Sequence, residues 1–346
     1  MSGAEHEPMT KLKFFDSTLR DGSHAVKHQI TLEQIEQYCR IVDGAGMYVV
    51  IVGHGNGLGA SSLQVGLSRY SDRDMIATAR RELKQTKLGV FLIPGFGTIK
   101  DDLAPALAAG VDLVCVGIHC TEADVTEQHI KYVVSQNKEA YGVLMMYHMA
   151  SKERLLVEAK KMESYGARGV ILMDSAGAAV PGSVEEVIEY LASNLEIEVG
   201  FHGHNNLSMA VSNSLTALES GASIIDATVR GFGAGAGNCQ LEALIALMKK
   251  MGLETGVELY KLLDASEKVV KPMMAKPQEI DSVSIVSGLA GVFSGFSIHV
   301  RKAAEKFGVD PRDIFVELGR RKVVAGQEDV ILAAAAELAK NKQNPS

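Results

Sequence analysis

Eight short apolar runs, each followed by a helical stretch, dominate this chain and leave few architectures open to it. The runs fall at residues 12–15, 48–52, 88–93, 113–118, 141–147, 169–173, 197–201 and 224–229. Each is too short for a core helix, and most are rich in Val, Ile and Leu. Such runs read as strands buried on both faces, as in a parallel sheet. Between them, 31–43 opens on Thr31 with Gln34 three residues on, the pattern of a capping box. The stretches 151–164 and 183–191 open on serines and carry apolar residues at helical spacing. The pairs Ala45-Gly46, Ala109-Gly110, Tyr165-Gly166 and Ser220-Gly221 place glycine just past a helix, where a left-handed backbone costs it little. Eight βα units joined by right-handed crossovers close naturally into an α/β fold of the (β/α)8 TIM-barrel type. An open doubly wound sheet is the competing arrangement.

A TIM barrel takes about 250 residues, so 346 leave room for an added segment. The alternation stops after Gly252, which assigns 10–255 to a catalytic barrel and 256–342 to a helical C-terminal segment. Helices are expected there at 258–274, 297–307, 311–318 and 327–340, with the terminal NKQNPS disordered. A formal net charge of −7 argues against a nucleic-acid-binding face, and Arg320-Arg321-Lys322 reads as a solvated helix end. Cys39, Cys115, Cys120 and Cys239 show no CxxC spacing. The N-terminal MSGAEHEPMTK has no apolar signal core, and no apolar run is long enough to cross a membrane. Reduced thiols in a cytoplasmic protein are the expectation.

In a TIM barrel the active site lies at the C-terminal ends of the strands. The first strand leads into Asp16-Ser17-Thr18-Leu19-Arg20-Asp21-Gly22-Ser23-His24. Asp21 is a hard oxygen ligand, Arg20 a permanent cation suited to a developing enolate oxygen, and His24 a proton carrier near neutral pH. An Arg–Asp pair that merely closes a loop is the plainer reading. The seventh run ends in Phe201-His202-Gly203-His204-Asn205-Asn206. Alternate strand residues point the same way, so His202 and His204 project together. In a closed barrel Asp21 can join them, giving a mixed N/O set for Mn²⁺, Fe²⁺, Co²⁺, Zn²⁺ or Mg²⁺. The open positions on such an ion suit the chelating oxygens of a 2-oxo acid such as pyruvate, and its Lewis acidity suits an enolate.

Two glycine-rich loops are weighed against this. Gly55-Asn56-Gly57-Leu58-Gly59-Ala60 fits GxGxxA, but no clear amphipathic helix follows, as a dinucleotide fingerprint requires. Gly231-Phe232-Gly233-Ala234-Gly235-Ala236-Gly237-Asn238 either holds a phosphate on its amides or makes a tight turn that brings backbone to the metal site.

The motif from Asp16 to Gly22, taken with Phe201-His202-Gly203-His204-Asn205-Asn206, resembles the DRE-TIM metallolyase superfamily. Further stretches narrow the likeness: His24-Ala25-Val26-Lys27-His28-Gln29, Leu92-Ile93-Pro94-Gly95-Phe96-Gly97-Thr98, His119-Cys120-Thr121-Glu122-Ala123-Asp124-Val125 and Gly233-Ala234-Gly235-Ala236-Gly237-Asn238. With Val316-Glu317-Leu318-Gly319-Arg320-Arg321 and Ala325-Gly326-Gln327-Glu328-Asp329, nearly the whole chain is similar to the 4-hydroxy-2-oxovalerate aldolase family. The resemblance implies a class II pyruvate aldolase that reversibly cleaves 4-hydroxy-2-oxo acids to pyruvate and an aldehyde. Mn²⁺ is the ion it implies first, with Co²⁺, Mg²⁺ or Zn²⁺ as alternatives. Matched residue by residue, Asp21, His202 and His204 fall on the metal ligands, Arg20 on the enolate stabiliser and His24 on the catalytic base. Ser175 falls on a substrate contact, and Phe293 on a position that meets the substrate. The resemblance further implies an oligomer, an acylating acetaldehyde dehydrogenase partner served by the C-terminal helices, and a place in aromatic hydrocarbon catabolism.

The chain departs from the family pattern at several positions. Phe293 stands for a tyrosine, Ile51 for an acidic residue, Asn56 for an aspartate, Asn205 for a third histidine and Tyr147 for a serine. Another DRE-TIM metallolyase or 2-oxo-acid condensing enzyme is the alternative. Acyl-CoA lyases of the superfamily carry a C-terminal catalytic cysteine, whereas no cysteine follows Cys239 here, and the larger synthases need a regulatory domain for which there is little room. A catalytically silent barrel scaffold is the non-enzyme alternative, and the co-occurrence of Asp21, His202, His204, Arg20 and His24 argues against it.

Overall fold

The structure is a computed structural model and describes residues 12–343. Eight strands form one closed, all-parallel barrel in sequence order: β1 Lys13–Asp16, β2 Val49–Ile51, β3 Lys87–Leu92, β4 Leu113–His119, β5 Glu139–Met145, β6 Gly169–Asp174, β7 Glu198–Gly203 and β8 Ile224–Ala227. The ring is completed by β1 against β8, with Phe15 opposite Asp226. That pairing removes the open doubly wound sheet from consideration.

The apolar runs are continuous because each strand has two buried faces. Tyr141, Val143 and Met145 point into the barrel with Leu113, Cys115, Ile171 and Met173. Their neighbours Leu144, Val114, Val116, Val170 and Leu172 point outward and pack under the helices. The N-terminal end of the barrel is plugged. Lys13 pairs with Glu198 at 2.6 Å, Lys87 pairs with Glu139 at 2.7 Å, and Tyr48 donates to Glu139 at 2.8 Å. Chemistry is left to the C-terminal mouth.

The helix starts follow local rules. Helix Leu32–Val42 begins after Thr31, and both halves of the capping box form: Gln34 N donates to Thr31 Oγ1, and Thr31 N donates to the Gln34 side chain. Ser151 caps Lys152–Ser164. The four glycines expected past helix ends all have positive φ, from +95° to +105°.

Some expectations shift. The helix expected from Ser183 begins at Pro181, whose fixed φ suits the first helical position, and runs to Ala192. The strand expected over 141–147 is displaced to Glu139–Met145 because Met146 takes a left-handed φ of 55° and Tyr147 enters a 3₁₀ turn. The run 224–229 stays in the sheet only to Ala227.

The stretch 258–274 is a broken helix: Leu259–Ala265, a π turn over Ser266–Val270, and Lys271–Met273. Its Leu262, Ala265, Val269 and Met273 are buried in the core between barrel and helices. A second core begins at Val283 and gathers Val300, Phe315, Leu318 and Ala334 from helices Ser282–Leu289, Ser297–Phe307, Pro311–Arg320 and Glu328–Gln343, with Val292 and Phe296 from the connection between the first two. Ser282–Leu289 was not read from the sequence. Its serine-rich face weakens the apolar period, and Asp281 caps it by accepting from Ser284 N.

Of the NKQNPS expected to be disordered, Asn341 to Gln343 continue the last helix, and the remainder lies outside the described residues, as does MSGAEHEPMTK. Arg320 and Arg321 end their helix paired with Glu317, and Arg321 also with Glu337. All four cysteines are free and buried. Among the described residues, no helix is long and apolar enough to cross a membrane.

Candidate metal centre and active site

The site starts from how β1 ends. The Asp16 carboxylate accepts Thr18 N at 3.0 Å and Tyr38 OH at 2.6 Å, while Thr18 Oγ1 accepts Val229 N at 2.8 Å. Burial pushes the Asp16 carboxyl up to about 6 against these bonds. The turn after β1 is thus pinned to β8 and to helix Leu32–Val42, and it carries Arg20 and Asp21 over the barrel mouth.

Asp21 accepts from Arg20 Nη1 at 2.9 Å, from Ala234 N at 3.2 Å and from Asn238 Nδ2 at 2.6 Å. Burial alone would raise its carboxyl, but the Arg20 guanidinium and the imidazoles of His204, His24 and His202 hold it far below the usual carboxylate range. His202, in β7, and His204, just past it, project side by side with ring centroids 5.2 Å apart. One ligand atom from each of Asp21, His202 and His204 lies within 4.8 Å of the others, and all three residues are buried.

The donor chemistry fits a divalent ion. His202 Nδ1 is engaged by Asp226 Oδ2 at 2.9 Å, which leaves His202 Nε2 buried without a protein partner; His204 Nδ1 is likewise unpartnered. Buried ring nitrogens without partners are costly unless something accepts their lone pairs. Two imidazoles and a carboxylate of this kind suit a first-row transition metal or Mg²⁺.

Arg20 is almost fully buried. Its Nη2 lies 3.7 Å from Asp226 Oδ2, and its guanidinium lies 4.7 Å from the centre of the Phe91 ring. A buried cation between two carboxylates is fixed in place rather than free to find its own partner.

His24 stands at the edge of the same cavity, its ring 5.1 Å from His28, which stacks on His54 at 3.6 Å. Burial pushes the His24 imidazole down to about 4, only partly offset by Asp21, so it is neutral at ordinary pH. Two glycines make the close packing possible. A Cβ at Gly55 would fall 2.3 Å from His24 Nε2, and one at Gly233 would fall 2.4 Å from Asp21 Oδ2.

The cavity walls include Arg20, Asp21, His24 and His204 from the barrel loops, closed over by Phe293 and Ala325 of the C-terminal segment. Five of the expected residues, Asp21, His202, His204, Arg20 and His24, therefore meet at one place, and Phe293 forms its wall. Ser175 is fully buried and its hydroxyl accepts Met146 N at 3.2 Å; it is not among the cavity-lining residues. Of the departures, Asn56 and Phe293 line the cavity. Ile51 is buried inside the barrel, Tyr147 packs on Phe201 at 6.2 Å, and Asn205 caps Ala210 N, all away from it.

The glycine loops resolve as well. After Ala60 no helix opens until Asp72, so the dinucleotide reading has no support. The Gly231–Asn238 turn spends an amide on Asp21, which supports the reading of close backbone approach to the candidate metal site.

Sequence reasoning missed Asp226, Asn238 and Asp16. A signal existed for Asp226: a carboxylate inside an otherwise apolar run that reads as a strand buried on both faces.

Residues 11–269 match the HMGL-like family, and residues 278–340 match the DmpG-like communication domain. The chain is 54% identical to a 4-hydroxy-2-oxovalerate aldolase of Pectobacterium atrosepticum, over 96% of this chain and 97% of that one. It is 54% identical to the 4-hydroxy-2-oxovalerate aldolase of Spirochaeta aurantia, over 93% and 95%. Among solved structures, HMG-CoA lyase of Bacillus subtilis superposes with a TM-score of 0.67 at 21% identity, over 78% of this chain and 95% of that one; this is a likeness of fold alone.

Proposed function

Since this chain belongs to the HMGL-like family and, within it, to the 4-hydroxy-2-oxovalerate aldolases, carbon–carbon lyases that use a divalent metal, we propose that it reversibly cleaves a 4-hydroxy-2-oxo acid such as 4-hydroxy-2-oxovalerate to pyruvate and an aldehyde. The observation that carries this reading is the convergence of Asp21, His202 and His204 with Arg20 and His24 at one barrel mouth.

Asp21, His202 and His204 would hold the ion, which we assign as Mn²⁺ ahead of Co²⁺, Mg²⁺ or Zn²⁺. When bound, it supplies Lewis acidity toward the 2-oxo acid. Arg20 is fixed by Asp21 and Asp226 and places its guanidinium where the 2-oxo oxygen gains charge. Neutral His24 takes the proton of the 4-hydroxyl group as the C3–C4 bond breaks. The aldehyde departs, the electron pair remains on the pyruvate enolate, and the proton that His24 took is returned to C3, which restores His24 to its neutral form. Phe293 meets the aldehyde end. Ser175, the substrate contact that the family resemblance implies, accepts Met146 N on its hydroxyl oxygen and keeps its own proton to donate.

The functional division we propose is a catalytic barrel over 10–255 and a partner-facing helical segment over 256–342, rooted on the barrel through the buried side of Leu259–Ala265 and its continuation. The match to the DmpG-like communication domain supports docking of an acylating acetaldehyde dehydrogenase there. We further propose, on the family resemblance alone, an oligomeric, cytoplasmic assembly acting in aromatic hydrocarbon breakdown. The test is direct. Purified protein with Mn²⁺ and 4-hydroxy-2-oxovalerate should release pyruvate and acetaldehyde in equal amounts. Absence of both from a folded, metal-loaded sample overturns the reading.

A further inference from the structure

We propose that Asp226 is a positioning residue that sets two parts of the site with one carboxylate oxygen: it fixes the ring of His202 so that Nε2 faces the metal, and it steadies Arg20 beside the substrate. The inference rests on the metal reading above and adds a residue to it.

Asp226 lies on β8 in register with His202 of β7, so the two strands place their side chains together without help from any loop. Its Oδ2 is 2.9 Å from His202 Nδ1 and 3.7 Å from Arg20 Nη2, and the residue is 3% exposed. Its other oxygen, Oδ1, is buried without a partner. A carboxylate with a free buried oxygen is a poor stabilising element, because desolvation costs it more than two contacts return. Its geometry is explained by what it does to its neighbours. A carboxylate can only accept, so His202 must carry its proton on Nδ1 and present a lone pair at Nε2. The same oxygen supplies the second anion that Arg20 faces, opposite Asp21.

Two measurements separate this role from mere packing. In metal-free protein carrying ¹⁵N-labelled histidine, His202 should appear as the Nδ1–H tautomer, and Asp226→Ala should shift it toward Nε2–H. By titration calorimetry, Asp226→Ala should lose about 10–100-fold in Mn²⁺ affinity, the usual cost of removing such a partner. Asp226→Asn retains an acceptor but no charge. It should keep the tautomer, lose less affinity and raise KM for pyruvate in the condensation direction through Arg20.

Glu158→Gln is the comparison, since Glu158 is a buried carboxylate on the helix Lys152–Ser164 that accepts Ala123 N and pairs with Arg154 and Lys161. It should lower stability without altering the His202 tautomer. The inference is overturned if Asp226→Ala keeps both the tautomer and the Mn²⁺ affinity to within about threefold. If Asp226→Ala does not fold, Asp226→Asn decides, and unchanged affinity with unchanged KM overturns the inference. If the natural chain binds no Mn²⁺, the metal reading fails, and the tautomer measurement still decides the role of Asp226.

Discussion

Phe293 stands edge-on to Phe296, ring centroids 5.5 Å apart at 85°, and through that contact one aromatic ring belongs to both the C-terminal core and the top of the barrel interior. The C-terminal segment therefore forms part of the wall of the candidate site. Phe293 lacks the hydroxyl of the tyrosine that the family pattern places there. One neutral hydrogen bond is worth roughly 0.5–1.5 kcal/mol, too little to decide catalysis but comparable to the roughly 1.4 kcal/mol that separates two outcomes tenfold. The natural chain is expected to be an active aldolase with relaxed control at C4 or tolerance of a more apolar aldehyde. Phe293→Tyr is expected to sharpen stereoselectivity. Chiral analysis of the 4-hydroxy-2-oxo acids made by both proteins checks this; a single enantiomer from each refutes it.

Metal dependence should rest on His202. Thorough chelation should remove turnover, and Mn²⁺ should restore it. His202→Ala should not be restored, because the remaining Asp21 and His204 leave the ion with one imidazole fewer. Pyruvate release with and without chelator is the measurement, and full activity in chelator contradicts the account.

Replacing His24 removes the proposed base. His24→Ala should slow retro-aldol turnover by about 10²–10⁴-fold. Tyr147 is packed on Phe201, and His148 faces the Gly291 carbonyl at 3.1 Å, so neither is placed to substitute. A change below about threefold assigns the proton to some other group.

Gly55 should matter for the same reason, although it has no side chain. A Cβ there would lie 2.3 Å from His24 Nε2 and 2.4 Å from Cδ2, so Gly55→Ala must displace the imidazole. A misplacement of about 1 Å can cost about 10² in rate. The expected outcome is a large fall in kcat with an unchanged circular dichroism spectrum. Wild-type kcat shows that the ring relocates harmlessly.

The stacked pair His28–His54 gives a pH prediction for stability. Burial pushes both imidazoles from 6.5 down to about 3. Between those values the unfolded chain binds more protons than the folded one, so stability rises with pH. The contribution is fully present above about 6.5 and is lost as pH falls toward 3. Urea midpoints measured from pH 4 to 8 should show a shallower acid-side slope in His54→Asn than in the natural chain. Parallel slopes would refute this.

Eight parallel strands were legible in the sequence, because burial on both faces forces continuous apolar runs; the choice between a closed barrel and an open doubly wound sheet fell to the pairing of β1 with β8. The candidate ligands Asp21, His202 and His204 were legible too, since they follow strands whose ends converge in a barrel. Strand limits were less legible, as at Met146, where a left-handed residue ends β5 before its apolar run does. Which buried groups face one another is a matter of register and ring closure, absent from local pattern. Asp226 is 24 residues from His202 in sequence and 2.9 Å from it in space, because β7 and β8 are neighbours in register. Asn238 reaches Asp21, 217 positions away, because the ring closes through β8. Local pattern records which face of an element is buried. Register and closure, which are set by the packing of the whole ring, decide which buried groups meet.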